Sequence, residues 1–218
     1  MKVINISENN SILGDYIALL RDKVLQKNRY LFRHNLERVG QIFGYEISKA
    51  LSYSEKNVVT PLGTAKVYTC DDKVVVSTIL RAGLPLYKGI LDVFEDAESG
   101  FVAAYRKYYK GDEFHIKVEF STQPELDGKI LILADALLAT GQSMEITLNR
   151  LLEEGSPKHV HIACPICSIY AVEYLQKRFS SDQVTLWTAA IDEELTGHSY
   201  IVPGMGDAGD LAFGEKSS

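Results

Sequence analysis

The sequence predicts an α/β fold: a parallel β-sheet flanked by helices, with a projecting hairpin arm and a small hood. Three observations carry this reading. Between residues 73 and 188, apolar runs of strand length alternate with amphipathic stretches of helix length, the pattern of a parallel sheet wound through crossover helices. The run Ile130-Leu131-Ile132-Leu133 is apolar without alternation, as a strand buried on both faces must be. A loop bearing Gly141 then joins that strand to the next helix, at the edge where open α/β sheets gather ligands.

Taken in order, residues 11–22 and 29–51 show helical apolar spacing, with Tyr30, Leu31, Leu36, Val39, Ile42, Phe43 and Ile47 as a stripe. They precede the alternating part, so they form a cap or hood, or an oligomer contact. Lys73 to Leu80 reads as a strand, Leu84 to Phe94 as a helix, and Gly100 to Tyr105 as a strand. Alternating Phe114, Ile116, Val118 and Phe120 after a Gly111-Asp112 turn make residues 105–122 a hairpin arm rather than a crossover helix. Strand and helix then alternate over 129–134, 142–153, 159–166, 169–179 and 183–188. The segment 189–214 is left as the hood, and the whole chain, 1–218, is read as a single domain.

Composition supports an ordinary globular protein. The 218 residues are 46% hydrophobic and 24% charged, enough to bury a full core. A net charge of −6 argues against general nucleic-acid binding. No run has the length of a membrane span, and MKVINISENN lacks the parts of a signal peptide, so a cytoplasmic location is expected. The three cysteines make no disulfide framework. Cys164 and Cys167 have redox or zinc-ligand spacing, but with no second pair they read as thiols packed as small hydrophobes. The five histidines have no metal-ligand spacing. His159 and His161 alternate on a strand and are expected to be partly exposed, His198 reads as part of a surface turn, and Asp192-Glu193-Glu194 as a solvated turn.

Chemistry concentrates in three segments. In Asp135 to Ser143 the loop sits where a strand ends and a helix begins, so backbone N–H groups and the positive end of the helix dipole point at an incoming anion. Thr140 and Ser143 add hydroxyl donors. Asp135 would repel a phosphate laid against it, so its partner is a sugar hydroxyl or a magnesium ion. An acid followed by Thr-Gly suits a sugar phosphate, and no Gly-Lys-Ser/Thr follows to make a nucleoside-triphosphate loop. Leu80-Arg81-Ala82-Gly83 repeats the strand-loop-helix arrangement one unit earlier and places an arginine for a second anion. Finally, Gly204-Met205-Gly206-Asp207-Ala208-Gly209-Asp210 is either a Gly/Asp turn or a pocket whose exposed main chain can bond the edge of a planar ring.

Together these residues resemble the uracil phosphoribosyltransferase family, of the type I phosphoribosyltransferase class. Also similar are Leu20-Arg21-Asp22-Lys23, Thr60-Pro61-Leu62-Gly63, Tyr105-Arg106 and Gly197-His198-Ser199-Tyr200 through Phe213-Gly214. The resemblance implies transfer of phosphoribose from 5-phosphoribosyl-1-pyrophosphate (PRPP) to uracil, giving UMP and pyrophosphate, with Mg2+ held mainly through the pyrophosphate. It implies that Asp135, Ala136, Leu137, Leu138, Ala139, Thr140, Gly141, Gln142 and Ser143 hold PRPP, with Asp135 on the ribose hydroxyls. Arg81 and Arg106 would meet the pyrophosphate, and Asp207 the ribose region, so that Arg81, Arg106, Asp135 and Asp207 carry the catalysis. Ile201, Gly206, Asp207 and Ala208 would read uracil. A cis peptide at Arg81-Ala82 and a homodimer are further expectations. The chain departs from the family at Ala136 and Gln142, and after Arg106, where Lys107-Tyr108-Tyr109-Lys110 replaces an acidic pair. That replacement leaves a catalytically silent, nucleotide-binding homologue as the alternative, with a phosphoribosyltransferase for another base behind it.

Overall fold

The computed structural model describes residues 1–108 and 114–215, the side chains of 104–119 excepted. The chain opens with β1 (Lys2–Asn5), α1 (Ile12–Arg21), α2 (Arg29–Ser48), β2 (Tyr53–Thr60), β3 (Gly63–Cys70), β4 (Val74–Leu80) and α3 (Leu84–Leu91). It continues through β5 (Glu98–Tyr108), β6 (Phe114–Thr122), β7 (Ile130–Ala134), β8 (Leu137–Leu138), α4 (Gln142–Glu154), β9 (His159–Ala163), β10 (Ile166–Ser168) and α5 (Ile169–Gln176). It closes with β11 (Val184–Thr188), β12 (Ala190–Asp192), β13 (Glu194–Leu195), β14 (Ile201–Val202) and α6 (Ala208–Phe213).

A seven-stranded sheet runs in the order β1-β11-β9-β7-β4-β5-β6. Every neighbouring pair is parallel except β5 with β6, which make the hairpin arm. Because side chains alternate along a strand, β7 sends Ile130 and Ile132 to one face and Leu131 and Leu133 to the other. The first face is packed by α1, α2 and α3, the second by α4 and α5. This double cover explains why the strand sequences are apolar throughout.

At its carboxyl end each of three central strands breaks and restarts. Strands β7, β9 and β11 are followed within two residues by β8, β10 and β12, which form a second small parallel sheet in the same lateral order. Asp135 stands at the first of these breaks.

Several expectations are corrected. The α2 stripe is Phe32, Leu36, Val39, Phe43 and Ile47, whereas Tyr30 and Leu31 are exposed, since they precede Phe32 by less than a turn and point away from the sheet. Cys164 and Cys167 are buried free thiols, as read. His161 is buried rather than partly exposed, because β9 lies inside the sheet and Trp187 packs over the ring. The sequence reading gave no element to β1 or to the β2–β3 hairpin, whose tip is Pro61 and Leu62. The turn Gly111-Asp112 lies outside the described residues.

Candidate active site

Four of the six described α-helices are capped by a side chain: Ser11 on α1, Asn28 on α2, Ser168 on α5 and Asp207 on α6. Helices α3 and α4, whose cap positions are Gly83 and Gly141, have no such cap. At α4 the cap residue Gly141 has no side chain to accept from the first turn. Gly141 is left-handed at φ 80°, and a Cβ there would press on the Tyr174 ring at 3.1 Å and the Ala171 carbonyl at 3.3 Å. The N–H groups of Thr140 and Gly141 have no acceptor among the described residues, and the Thr140 hydroxyl turns back to the Gln142 N–H at 3.4 Å. An uncapped helix start with free amides is an anion cradle.

Two residues before β8, the Asp135 carboxylate lies at the floor of the same space. It accepts from the Ala136 N–H at 2.7 Å, and the Leu137 N–H also favours its charged form. Burial outweighs both and pushes the Asp135 carboxyl up to about 7. A carboxyl so poised gains from any ligand that donates hydrogen bonds to it.

Opposite this loop stands the glycine segment. Ile201 is buried, Val202–Pro203 is a cis peptide, and Gly204 turns with φ 50°, where a Cβ would lie 2.2 Å from the Ile201 carbonyl. Asp207 accepts the Asp210 N–H at 3.0 Å and so caps α6. The segment is clamped from far away in sequence. Arg21, at the end of α1, donates from Nη1 and Nη2 to the two Asp192 oxygens at 2.8 and 2.9 Å, and from Nη1 to the Gly204 carbonyl at 2.9 Å. Asp192 also accepts the Gly204 N–H at 2.9 Å. The acidic run is therefore no solvated turn at Asp192: β12 carries that side chain inward, while Glu193 and Glu194 stay exposed.

The two segments face one cavity of about 640 Å³. Asp135, Leu137, Leu138, Ala139, Thr140, Gly141 and Ser143 line it from one side, and Ile201, Gly206, Asp207 and Ala208 from the other. Ala136, fully buried, and Gln142 support the loop without lining the cavity. The wall also takes in His198, Ser199 and Tyr200, which the sequence reading gave no binding role. They come from a tight turn closed by Ser199 N–H to the Thr196 carbonyl at 2.8 Å. A Thr-Gly-His-Ser run just before the glycine segment was the available signal.

Arg81 does not line the cavity, although its neighbour Ala82 does. Its Nη2 donates to Asp210 Oδ1 at 3.1 Å and to the Gly214 carbonyl at 3.3 Å, so the arginine lies against the hood, and its Nε has no partner. The cis peptide is Leu80–Arg81 rather than Arg81–Ala82. The turn starts at the last residue of β4, and the Gly83 N–H returns to the Ile79 carbonyl at 3.3 Å. Arg106 sits in β5 opposite Ile116, and its side chain lies outside the described residues, as do Tyr109 and Lys110 entirely. In register, Leu80 pairs with Ala103, so Arg106 stands beyond the carboxyl edge of β4, the edge that holds the cavity.

Comparisons with known proteins bear on the family and the fold. The family model described as uracil phosphoribosyltransferase matches residues 7–215. A uracil phosphoribosyltransferase from Porphyromonas gingivalis is 48% identical over 216 residues, 99% of this chain and 100% of its own. A solved protein from Aquifex aeolicus superposes with a TM-score of 0.86 at 27% identity, over 97% of this chain and 98% of that one. A hypoxanthine phosphoribosyltransferase from Staphylococcus aureus shares the fold at a TM-score of 0.52 and 11% identity, over 86% and 84% of the two chains. A family model that spans nearly the whole chain and a relative of near-equal length at 48% identity show that the chain belongs to the uracil phosphoribosyltransferase family.

Proposed function

We propose that this chain joins uracil to the phosphoribosyl group of PRPP, releasing pyrophosphate and forming UMP, the salvage reaction of its family. The observation that carries this reading is the meeting of an anion cradle and a main-chain-rich hood across one cavity. In this reading the free N–H groups at 140–141 and the hydroxyls of Thr140 and Ser143 hold the 5-phosphate. Asp135, beside them, takes the ribose hydroxyls, which donate to the carboxylate and draw its proton affinity back down. Ile201, Gly206 and Ala208 present backbone groups to the uracil edge, and Asp207 faces the ribose.

As the bond from C1 to pyrophosphate breaks and the bond to uracil N1 forms, positive charge gathers on the ribose and negative charge on the leaving group. The chain's task is to position both reactants and meet those charges. Arg81 takes part by exchanging Asp210 for a phosphate oxygen. Arg106, on the hairpin strand β5, meets the charge that develops on the departing pyrophosphate.

Among the described residues no three His, Cys, Asp or Glu side chains gather as a metal cage. The cavity instead offers separate carboxylates, Asp135 and Asp207. Magnesium binds through one or two carboxylates and substrate phosphates, so this donor set fits a cation carried in on pyrophosphate. Bound there, it would offset the charge of the leaving group. A cytoplasmic homodimer belongs to the same proposal; the exposed apolar tip of the β2–β3 hairpin, with Val59 and Leu62, supports a self-contact.

Incubation with PRPP, magnesium and each common base tests the reading. Uracil should be converted and cytosine rejected by about 10⁴-fold or more, because cytosine reverses the donor and acceptor at two ring positions. Equal turnover of the two bases would remove the pocket assignment. Binding of both substrates without pyrophosphate release would instead favour the silent homologue suggested by Lys107 to Lys110.

A further inference from the structure

At the opposite end of the sheet from the active site is a second cavity, of about 360 Å³. It opens where β1, β9 and β11 begin, and Lys2, Lys158, His159, His161, Thr185 and Trp187 line it. Register places these side chains on one face: Lys2 is opposite Thr185, and Thr185 is opposite His161.

The hydrogen bonds fix which groups are free. The Trp187 indole, a donor only, gives its N–H to His161 Nδ1 at 3.1 Å, so the neutral ring carries its proton on Nε2. His161 is only 3% exposed, and its Nε2 has no partner among the described residues. Burial and the neighbouring His159 hold the His161 pKa down to about 3, against the pull of Asp72, so the ring stays a neutral donor. His159 is fully used: Nδ1 donates to the Asp182 carbonyl at 3.2 Å and Nε2 accepts from the Thr185 hydroxyl at 3.0 Å. Asp72 is used as well, by Lys158 at 2.6 Å and the Ser52 N–H at 2.7 Å. The His161 N–H, the Lys2 ammonium and a Lys158 proton remain as free donors, beside the neutral hydroxyl oxygens of Ser181 and Thr185. Two lysines against one aspartate leave the cavity one positive charge.

We propose that this cavity binds a small oxyanion, bridging Lys2 on the edge strand to His161 in the centre of the sheet, at a site separate from the active-site cleft. A cation would meet two ammonium groups there, and the one carboxylate in the wall, Asp72, is already paired with Lys158. An apolar guest would leave a buried N–H unpaired.

Trp187 is the single tryptophan of the chain and lies in the cavity wall, which makes its fluorescence a local reporter. The full chain is titrated with sodium phosphate and, separately, sodium acetate, each at ionic strength matched with sodium chloride. A saturable fluorescence change with either anion is expected, with an imidazole ¹⁵N shift at His161 Nε2 and a melting temperature that rises with anion concentration. Lys2→Met, an exposed substitution that leaves the core intact, should weaken this at least tenfold. Thr140→Val should leave it unchanged. His161→Phe should abolish the response. A change no different from that in chloride, an undiminished response in Lys2→Met, or loss of the response in Thr140→Val would each overturn the proposal, the last by placing the anion in the cleft.

Discussion

The two walls of the cleft are built in opposite ways. The wall proposed to hold phosphate is one continuous stretch of chain, β7, the 135–143 loop and α4, whose geometry follows from a buried strand, a break and a helix without a side-chain cap. The base wall is a loop with little regular structure, held by Arg21 and Asp192 through a pair 171 residues apart. Arg33 adds a bond to the Ala212 carbonyl at 2.6 Å. Local sequence can specify the first wall alone, whereas the second exists only when the two ends of the chain have met. The N-terminal helices, read from sequence as cap, hood or oligomer contact, are the backing of the base wall.

The largest expected effect tests the phosphate wall. Asp135→Asn keeps shape but loses the charged acceptor, and turnover should fall by about 100-fold or more, a transition-state loss of roughly 3 kcal/mol. Stability should move the other way. Asp135 is raised from 3.8 to about 7, so the folded state binds the extra proton between these values, and stability is lost as pH rises through that window. With each pKa unit worth about 1.4 kcal/mol, the variant should be more stable than the parent at pH 8 by up to ~4 kcal/mol, and equal to it near pH 4. Denaturant melts at both pH values check this; a variant no more stable at pH 8 would mean that the carboxylate is solvated in the free protein.

Next comes the base wall. Arg21→Ala leaves Asp192 buried without its cation and should destabilise the fold by ~3 kcal/mol. It should raise KM for uracil while PRPP binding changes little. Parallel losses for both substrates would show that the walls are not held separately. Smaller again, Thr140→Val should weaken PRPP binding by about 1 to 2 kcal/mol with uracil unaffected, measured by calorimetry. The smallest effect is expected of Asp210→Asn. Arg81 and Asp210 are each about one-third exposed, at 38% and 35%, so freeing the arginine should tighten PRPP binding by less than ~1 kcal/mol.

The same contrast decides what could be read from sequence. β7, α4 and the loop between them were legible because periodicity, Gly141 and Asp135 are neighbours in the chain. The hairpin arm was legible from Phe114 to Phe120. The β2–β3 hairpin was not: its side chains are mostly exposed on both faces, so it carries no buried-face alternation to detect. β1 has only four residues and is defined by β11, far along the chain. Asp192 looked like its exposed neighbours because nothing local shows that Arg21 waits for it. His161 looked half-exposed because alternation identifies a face without saying what covers it. Arg81 was identified as a cation at the right edge, while its contact with Asp210 depends on a hood that folds from the other end of the sequence.

The distance between Arg21 and Asp192 also matters while the protein is being made. At ribosomal speeds of about 5 to 20 residues per second, Arg21 emerges roughly ten to thirty seconds before its partner. During that interval α1 and α2 have left the ribosome with an apolar stripe and no completed sheet to cover it, and the phosphate wall is finished before the clamp can form. The nascent chain therefore passes through a stage that has the 135–143 loop of its cleft and lacks the glycine hood. The hood is therefore locked by a residue that was made long before it.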